Sequence, residues 1–219
     1  MLNTELSHII SPMSAPWSGW TLLVLFLCAV LGEFMQPGII TQATTSLWAK
    51  TDRTYKSAPT NTVGQLLISV FRFGTLGMAI CMSLYTGGSF SFVAFAAVSG
   101  LVFAVLIIKM LCNRLLDYTF MLSRRFMPIY EQYANIATIA SCILYPGLLV
   151  LLRIGRPEYS IWVLGIITIL FLVMIIYRLV RTYIQSLAAF VYVAIYVATL
   201  EILPLAALYY ISAKTISIL

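Results

Sequence analysis

The segment AAFVYVAIYVATLEILPLAALYYISA, running from Ala188 to Ala213, decides what kind of fold this chain can adopt. It is apolar over a length sufficient to cross a bilayer, whose hydrocarbon core takes about 20 helical residues. Near its middle it nevertheless carries Glu201, followed by Pro204. An acidic side chain at a membrane-helix centre costs about 2.5–3.5 kcal/mol on insertion scales, so it is expected to face protein or a wet cavity rather than lipid. Glu201 is therefore predicted to mark an intramembrane polar centre. On the same helical face Ala194 and Ala198 form a small-xxx-small pair that admits close approach of another helix. Pro204 has no N–H to offer the Leu200 carbonyl, which is freed beside the carboxylate.

Composition extends this reading to the whole chain. Of its 219 residues 62% are apolar and 9% charged, and the mean hydropathy is +1.00. Those values exclude an ordinary soluble domain and predict one integral membrane domain over residues 1–219. The net charge of +6 does not point to nucleic acid, because the basic residues stand at the ends of apolar runs instead of forming a continuous face. Cys28, Cys81, Cys112 and Cys142 lie in or beside four different runs, without CxxC or metal spacing, and read as packing residues.

Five further apolar segments precede the last, giving an all-α bundle of six transmembrane helices with short interfacial amphipathic helices. The tail before Pro16 lacks Lys and Arg, and no cleavage pattern follows, so Trp17–Phe34 is expected to remain as the first span. Glu33 at its far end reads as a solvated or snorkelling carboxylate. In the connection that follows, Ile40, Ala43, Leu47 and Trp48 recur at helical spacing before Lys50, Arg53 and Lys56, a pattern suited to a short helix on the membrane surface. The next spans are Val63–Tyr85 and Phe90–Leu111, joined so tightly through Gly87 and Gly88 that they are antiparallel neighbours. Lys109 can snorkel from the end of the third span. Beyond it Leu111, Leu115, Tyr118 and Leu122 oppose Asn113, Arg114 and Asp117, so the helix is predicted to continue as an amphipathic extension at the cytoplasmic interface. Tyr133–Leu152, with Asn135, Thr138, Cys142 and Tyr145 on one face and Pro146 past its middle, is expected to kink. Ile161–Tyr177 is the fifth span.

The second span is the least uniform. Gln65, Ser69, Arg72, Thr75, Ala79 and Ser83 follow at intervals of three or four and share one face. Facing lipid, that stripe would strand hydroxyls and a guanidinium, so it is predicted to face other helices. Arg72 lies nine residues and Glu201 thirteen from the cytoplasmic ends of their spans, a depth difference of only about 6 Å. Arg72, Ser69, Thr75, Glu201 and Pro204 are therefore grouped as the polar centre, with Arg72 as a candidate counter-ion. Lys109, Arg114, Asp117 and Asn135 are assigned to the cytoplasmic interface.

Orientation follows from the basic residues. With six spans both termini share a side, and placing them outside leaves nine Lys and Arg in the cytoplasm and three outside, with Arg72 intramembrane among the total of 13. That bias predicts periplasmic termini, and Trp17, Trp20 and Trp162 would then form an outer aromatic belt.

The ending Tyr196, Val197, Ala198, Thr199, Leu200, Glu201, Ile202, Leu203, Pro204 resembles the closing signature of a Bacteroidota inner-membrane family known as a domain of unknown function. Lys109, the Phe120–Tyr133 connector, Asn135 and Pro146 are compatible with it. Where that family carries a Cys before Thr-Leu-Glu, this chain has Ala198, so no essential role falls to a thiol there. The resemblance implies a bacterial inner-membrane location and no activity. The residues themselves argue against an enzyme: the one histidine, His8, lies in a tail, the seven carboxylates are scattered, and there is no HExxH, GxSxG or nucleotide loop. No cofactor or metal is expected. The expected partners are membrane lipids and other membrane proteins, in an accessory or assembly role. The alternative is a small-solute or ion transporter, proton-coupled through Glu201, although Pro146 and Pro204 fall in spans that are not equivalent under a repeat of three plus three.

Overall fold

The computed structural model describes residues 16–48, 61–84, 91–119, 129–154, 159–183 and 197–218. Among these, the elements are α1 (Pro16–Met35), α2 (Ile39–Trp48), α3 (Thr62–Ser83), α4 (Phe92–Thr119), α5 (Ile129–Ile154) and α6 (Ser160–Tyr183), then a π-helix (Val197–Ile202) running into α7 (Leu203–Ile218). Five helices carry stretches long and apolar enough to cross a membrane: Trp17–Met35, Thr62–Ser83, Phe92–Cys112, Tyr133–Ile154 and Ser160–Tyr177. The first half of the expected sixth span lies outside the described residues.

Among the described residues the hub of the bundle is α3. It meets α1, α4, α5, α6 and α7, and glycines set how closely it does so. A Cβ on Gly32 of α1 would come within 2.7 Å of Ile68 Cγ1, and one on Gly64 within 3.1 Å of Gln36 Cβ, while Gly74 abuts the Leu25 side chain. These pairs run in opposite directions along the two helices, so α1 and α3 are antiparallel. Gly77 against Ser99 and Phe73 against Phe103, with ring centroids 5.1 Å apart, show the same for α3 and α4. That is the arrangement predicted from the tight Gly87–Gly88 connection. Around α3 the buried core gathers Leu22, Leu25, Phe71, Met78, Leu144 and Leu148.

The outward faces are apolar. Leu23, Phe26, Leu27 and Leu31 on α1, and Ile166, Ile169 and Val173 on α6, are all exposed, as suits a protein surrounded by lipid. Trp20 and Trp162 are 69% and 71% exposed, as a belt requires. Trp17 differs from the expectation: it is half-buried and packs on Phe92 and Phe95, with centroids 5.6 and 5.8 Å away, because its ring reaches the start of α4.

Several local expectations are met and others corrected. α4 continues past its apolar stretch, Phe92–Cys112, to Thr119; the side chains of Arg114 and Asp117, and the expected end of the extension at Arg124 and Arg125, lie outside the described residues. α5 passes through Pro146 as one continuous helix. The short helix after the first span exists, but it packs on α5 and its Ala43 is fully buried, so its apolar stripe is spent at least partly on protein rather than on lipid.

Candidate functional site

The polar stripe of α3 turns inward from its second turn onward. Gln65 is exposed, but Ser69, Arg72 and Ser83 are half-buried and Thr75 is wholly buried. Asn61 starts the helix by accepting from the Val63 N–H at 3.1 Å, and its Nδ2 donates to the Met35 carbonyl at 3.3 Å, tying the start of α3 to the end of α1. Thr75 donates back to the Phe71 carbonyl at 2.8 Å, with the Arg72 carbonyl 3.0 Å away. Its hydroxyl is thus satisfied within its own helix.

Arg72 reaches across to α5. Its Nη1 donates to the Ala134 carbonyl at 3.0 Å, Nη2 to Ser69 Oγ at 2.9 Å, and Nε to the Ile68 carbonyl at 3.3 Å. The planar guanidinium suits three acceptors lying in different directions, which an ammonium would not serve equally. Side chains on a helix lean toward its N-terminus, which is how Arg72 meets the Ile68 carbonyl and the Ser69 hydroxyl one turn back. The Ala134 carbonyl also accepts from Thr138 Oγ1 at 2.8 Å, so α5 presents a shared acceptor there.

One residue earlier on α5, the Tyr133 ring receives a second cation. Lys109 Nζ lies 3.9 Å from the Tyr133 ring centroid and 5.9 Å from that of Phe171 on α6, and those two rings meet edge to face at 6.0 Å. Lys109, expected to snorkel from the end of the third span, is only 8% exposed. The aromatic faces hold the ammonium inside, where the electron-rich rings compensate part of its lost hydration. The Tyr133 hydroxyl is buried without a hydrogen-bond partner among the described residues. Asn135, the next residue but one, is half-buried. Two cations from different helices thus converge on consecutive residues, Tyr133 and Ala134.

Glu33 also departs from its expected role. Its Oε1 accepts from the Gly38 N–H at 2.7 Å and its Oε2 from the Ile40 N–H at 3.1 Å. The carboxylate therefore caps the N-terminus of α2, where unpaired N–H groups and the helix dipole favour an anion. Gly38 makes the intervening turn with φ of 89°, a conformation that a side chain would strain.

Of the predicted polar centre, Ser69 and Arg72 are joined directly, Thr75 lies one turn on, and Pro204 sits where the π-helix gives way to α7. Glu201 belongs to that π-helix; its side chain is outside the described residues, and so is the test of its pairing with Arg72. Sequence reasoning missed Tyr133 and Phe171. No local pattern could have signalled them, since each lies far along the chain from Lys109. Glu33 was more legible: an acidic residue five positions before Gly38, with Pro37 between, is placed to reach the next helix start.

A family model described as a domain of unknown function (DUF4271) matches residues 19–211, and the chain belongs to that family. Neither the curated proteins nor the solved structures contain a match.

Proposed function

We propose that this DUF4271 protein is a non-enzymatic integral protein of the bacterial inner membrane, of the kind found in Bacteroidota, acting as an accessory or assembly subunit through contacts with other membrane proteins. Its six spans place both termini in the periplasm, and the polar centre of Glu201, Arg72, Ser69, Thr75 and Pro204 serves to lock helices together. The observation that carries this reading is the use to which two inward-facing cations are put. Arg72 is engaged by a carbonyl of α5 and by two groups of its own helix, and Lys109 lies against rings of α5 and α6. Cations held in this way fasten helices; those of a translocation path are expected to line water.

One feature favours the alternative of a small-solute or ion transporter. The π-helix at Val197–Ile202 carries a carboxylate residue and is followed by Pro204, and π-turns within helices occur frequently at functional sites. Purification in mild detergent decides between the two. A stoichiometric co-purifying membrane protein supports the accessory role, whereas a solitary protein that supports solute or proton flux in proteoliposomes sinks it. Cysteine reporters test the orientation: one at Ser14 should react with an impermeant reagent from outside and one at Ser57 should not.

A further inference from the structure

The guanidinium of Arg72 lies at a different depth from its own Cα. Arg72 is well inside the apolar stretch Thr62–Ser83, its Cα about 15 Å along the helix from Thr62. Its bonds to Ile68 and Ser69 draw the charged group back by about one turn, to the level of Ile68. Two neighbouring helices fix where that level stands. A Cβ on Gly32 would touch the Ile68 side chain, and Gly32 is within a turn of Met35, where the apolar stretch of α1 ends. Ala134, whose carbonyl Arg72 reaches, directly follows Tyr133, where the apolar stretch of α5 begins. Both stretches thus terminate within about 5 Å of the level of the guanidinium. The charge stands at the edge of the hydrocarbon layer, beside the headgroup region, at the end of the bundle where α3 begins.

The same place opens outward. Arg72 and Ser69 are half-buried and Gln65 is exposed, while Leu66 and Val70 on the adjoining positions of α3 are 61% and 42% exposed. The bonds to Ile68, Ser69 and Ala134 occupy one N–H on each guanidinium nitrogen, and each terminal nitrogen keeps a second N–H. The acceptors that Arg72 meets among the described residues are all neutral, and Glu33, the carboxylate near this end of α1, is committed to the start of α2. We propose that the two remaining N–H groups bind the phosphate of a membrane lipid with a net negative headgroup, seated at the seam of α3 and α5. Paired donors on a planar cation suit phosphate oxygens. Gln65, a turn nearer the end of the bundle on the same face, offers its amide to the headgroup, and Leu66 and Val70 lie beside the acyl chains. Those exposed apolar side chains select a lipid over free phosphate, which gains nothing from them. The inference goes beyond the lock between helices: one part of the guanidinium fastens α3 to α5 and the other holds lipid.

Native mass spectrometry of the full-length protein in detergent tests it, with phosphatidylglycerol, phosphatidylcholine or inorganic phosphate titrated in. Phosphatidylglycerol should bind more tightly than phosphatidylcholine, and inorganic phosphate at the same concentration should not compete. Ser69→Asp places a carboxylate beside the guanidinium while leaving the bond from Arg72 to Ala134 in place, and should weaken phosphatidylglycerol binding about fivefold, the loss of one basic contact with anionic lipid. Arg72→Gln should weaken it at least as much; should that variant fail to accumulate, Ser69→Asp carries the test alone. Thr45→Asp, a carboxylate on the exposed face of α2, should leave binding unchanged. Undiminished binding by Ser69→Asp, or equal weakening by Thr45→Asp, overturns the site. Competition by inorganic phosphate overturns the lipid as its source, and equal affinity for phosphatidylcholine overturns the demand for a negative headgroup. Lipid affinity is read apart from co-purifying protein, so this site and the accessory role can fail separately.

Discussion

Replacing Gly77 by Ala tests the close contact between the hub helix α3 and its neighbour α4. A Cβ at position 77 would run into Ser99 Oγ and lie 3.1 Å from both Cα and Cβ of Ser99. The hydroxyl can rotate away, but the Cα cannot, so the helices must separate by a few tenths of an ångström. Overpacking of this kind costs about 1–3 kcal/mol. Against it, alanine in a helix interior gains about 1 kcal/mol over glycine. The net loss is then about 1 kcal/mol, and for a chain of this size that lowers the melting temperature by about 2–4 °C. Thermal unfolding in detergent, followed by size-exclusion of the surviving protein, measures it. Two companions identify the cause. Ser99→Gly in the Gly77→Ala background removes the Oγ and Cβ contacts while leaving the Cα one, and should restore part of the loss. Gly100→Ala, on the adjoining residue of α4 with nothing within 4 Å of its Cβ, should leave stability unchanged or raised. A Gly77→Ala protein as stable as the parent, or a loss that Ser99→Gly does not relieve, refutes the reasoning.

Further outcomes follow from the site. Glu33→Ala should remove the cap of α2 at a cost of about 0.5–2 kcal/mol, seen as faster hydrogen exchange of the amides at Gly38–Gln42 while those of α3 are unaffected; equal exchange would show that the carboxylate is dispensable there. Arg72→Lys should lose the interhelical bond to the Ala134 carbonyl, lowering stability by about 0.6–1.7 kcal/mol, the range found for hydrogen bonds between membrane helices. An unchanged melting temperature would mean that the fork geometry is not needed. Tyr133→Phe keeps the ring under Lys109 and deletes a buried hydroxyl that has no partner among the described residues, so it should be neutral or stabilising, whereas Tyr133→Leu should cost about 1–2 kcal/mol through the lost cation–π contact. A destabilised Tyr133→Phe variant would assign the hydroxyl a partner.

Much of the bundle was legible before any coordinates. The apolar runs predicted five of the spans to within a few residues at each end, because bilayer thickness sets a length that composition alone can satisfy. The inward turn of Arg72 and Thr75 was legible too, since a stripe of polar residues at helical spacing has only protein to face. The long α4 could be read from its one-sided pattern beyond Lys109. Less legible were the contacts of particular charged side chains. Glu33 and Lys109 were assigned to solvent or headgroups because they lie near segment ends, and position along a helix is all that a sequence reports of depth.

By itself, then, the sequence determined the class of fold, the helical segments and the face that α3 turns inward, each of which depends on local periodicity and on the cost of placing polar groups in lipid. Tertiary structure alone decided which groups meet those inward side chains. Arg72 found a carbonyl at Ala134, and Lys109 found rings at Tyr133 and Phe171, from segments distant in the chain. It also decided that α3, with glycines at Gly64, Gly74 and Gly77, forms the centre of the bundle. The reason is geometric: a helix advertises its polar face in its own residues, but the acceptor on the facing helix is chosen by crossing angle and register, which no single segment encodes.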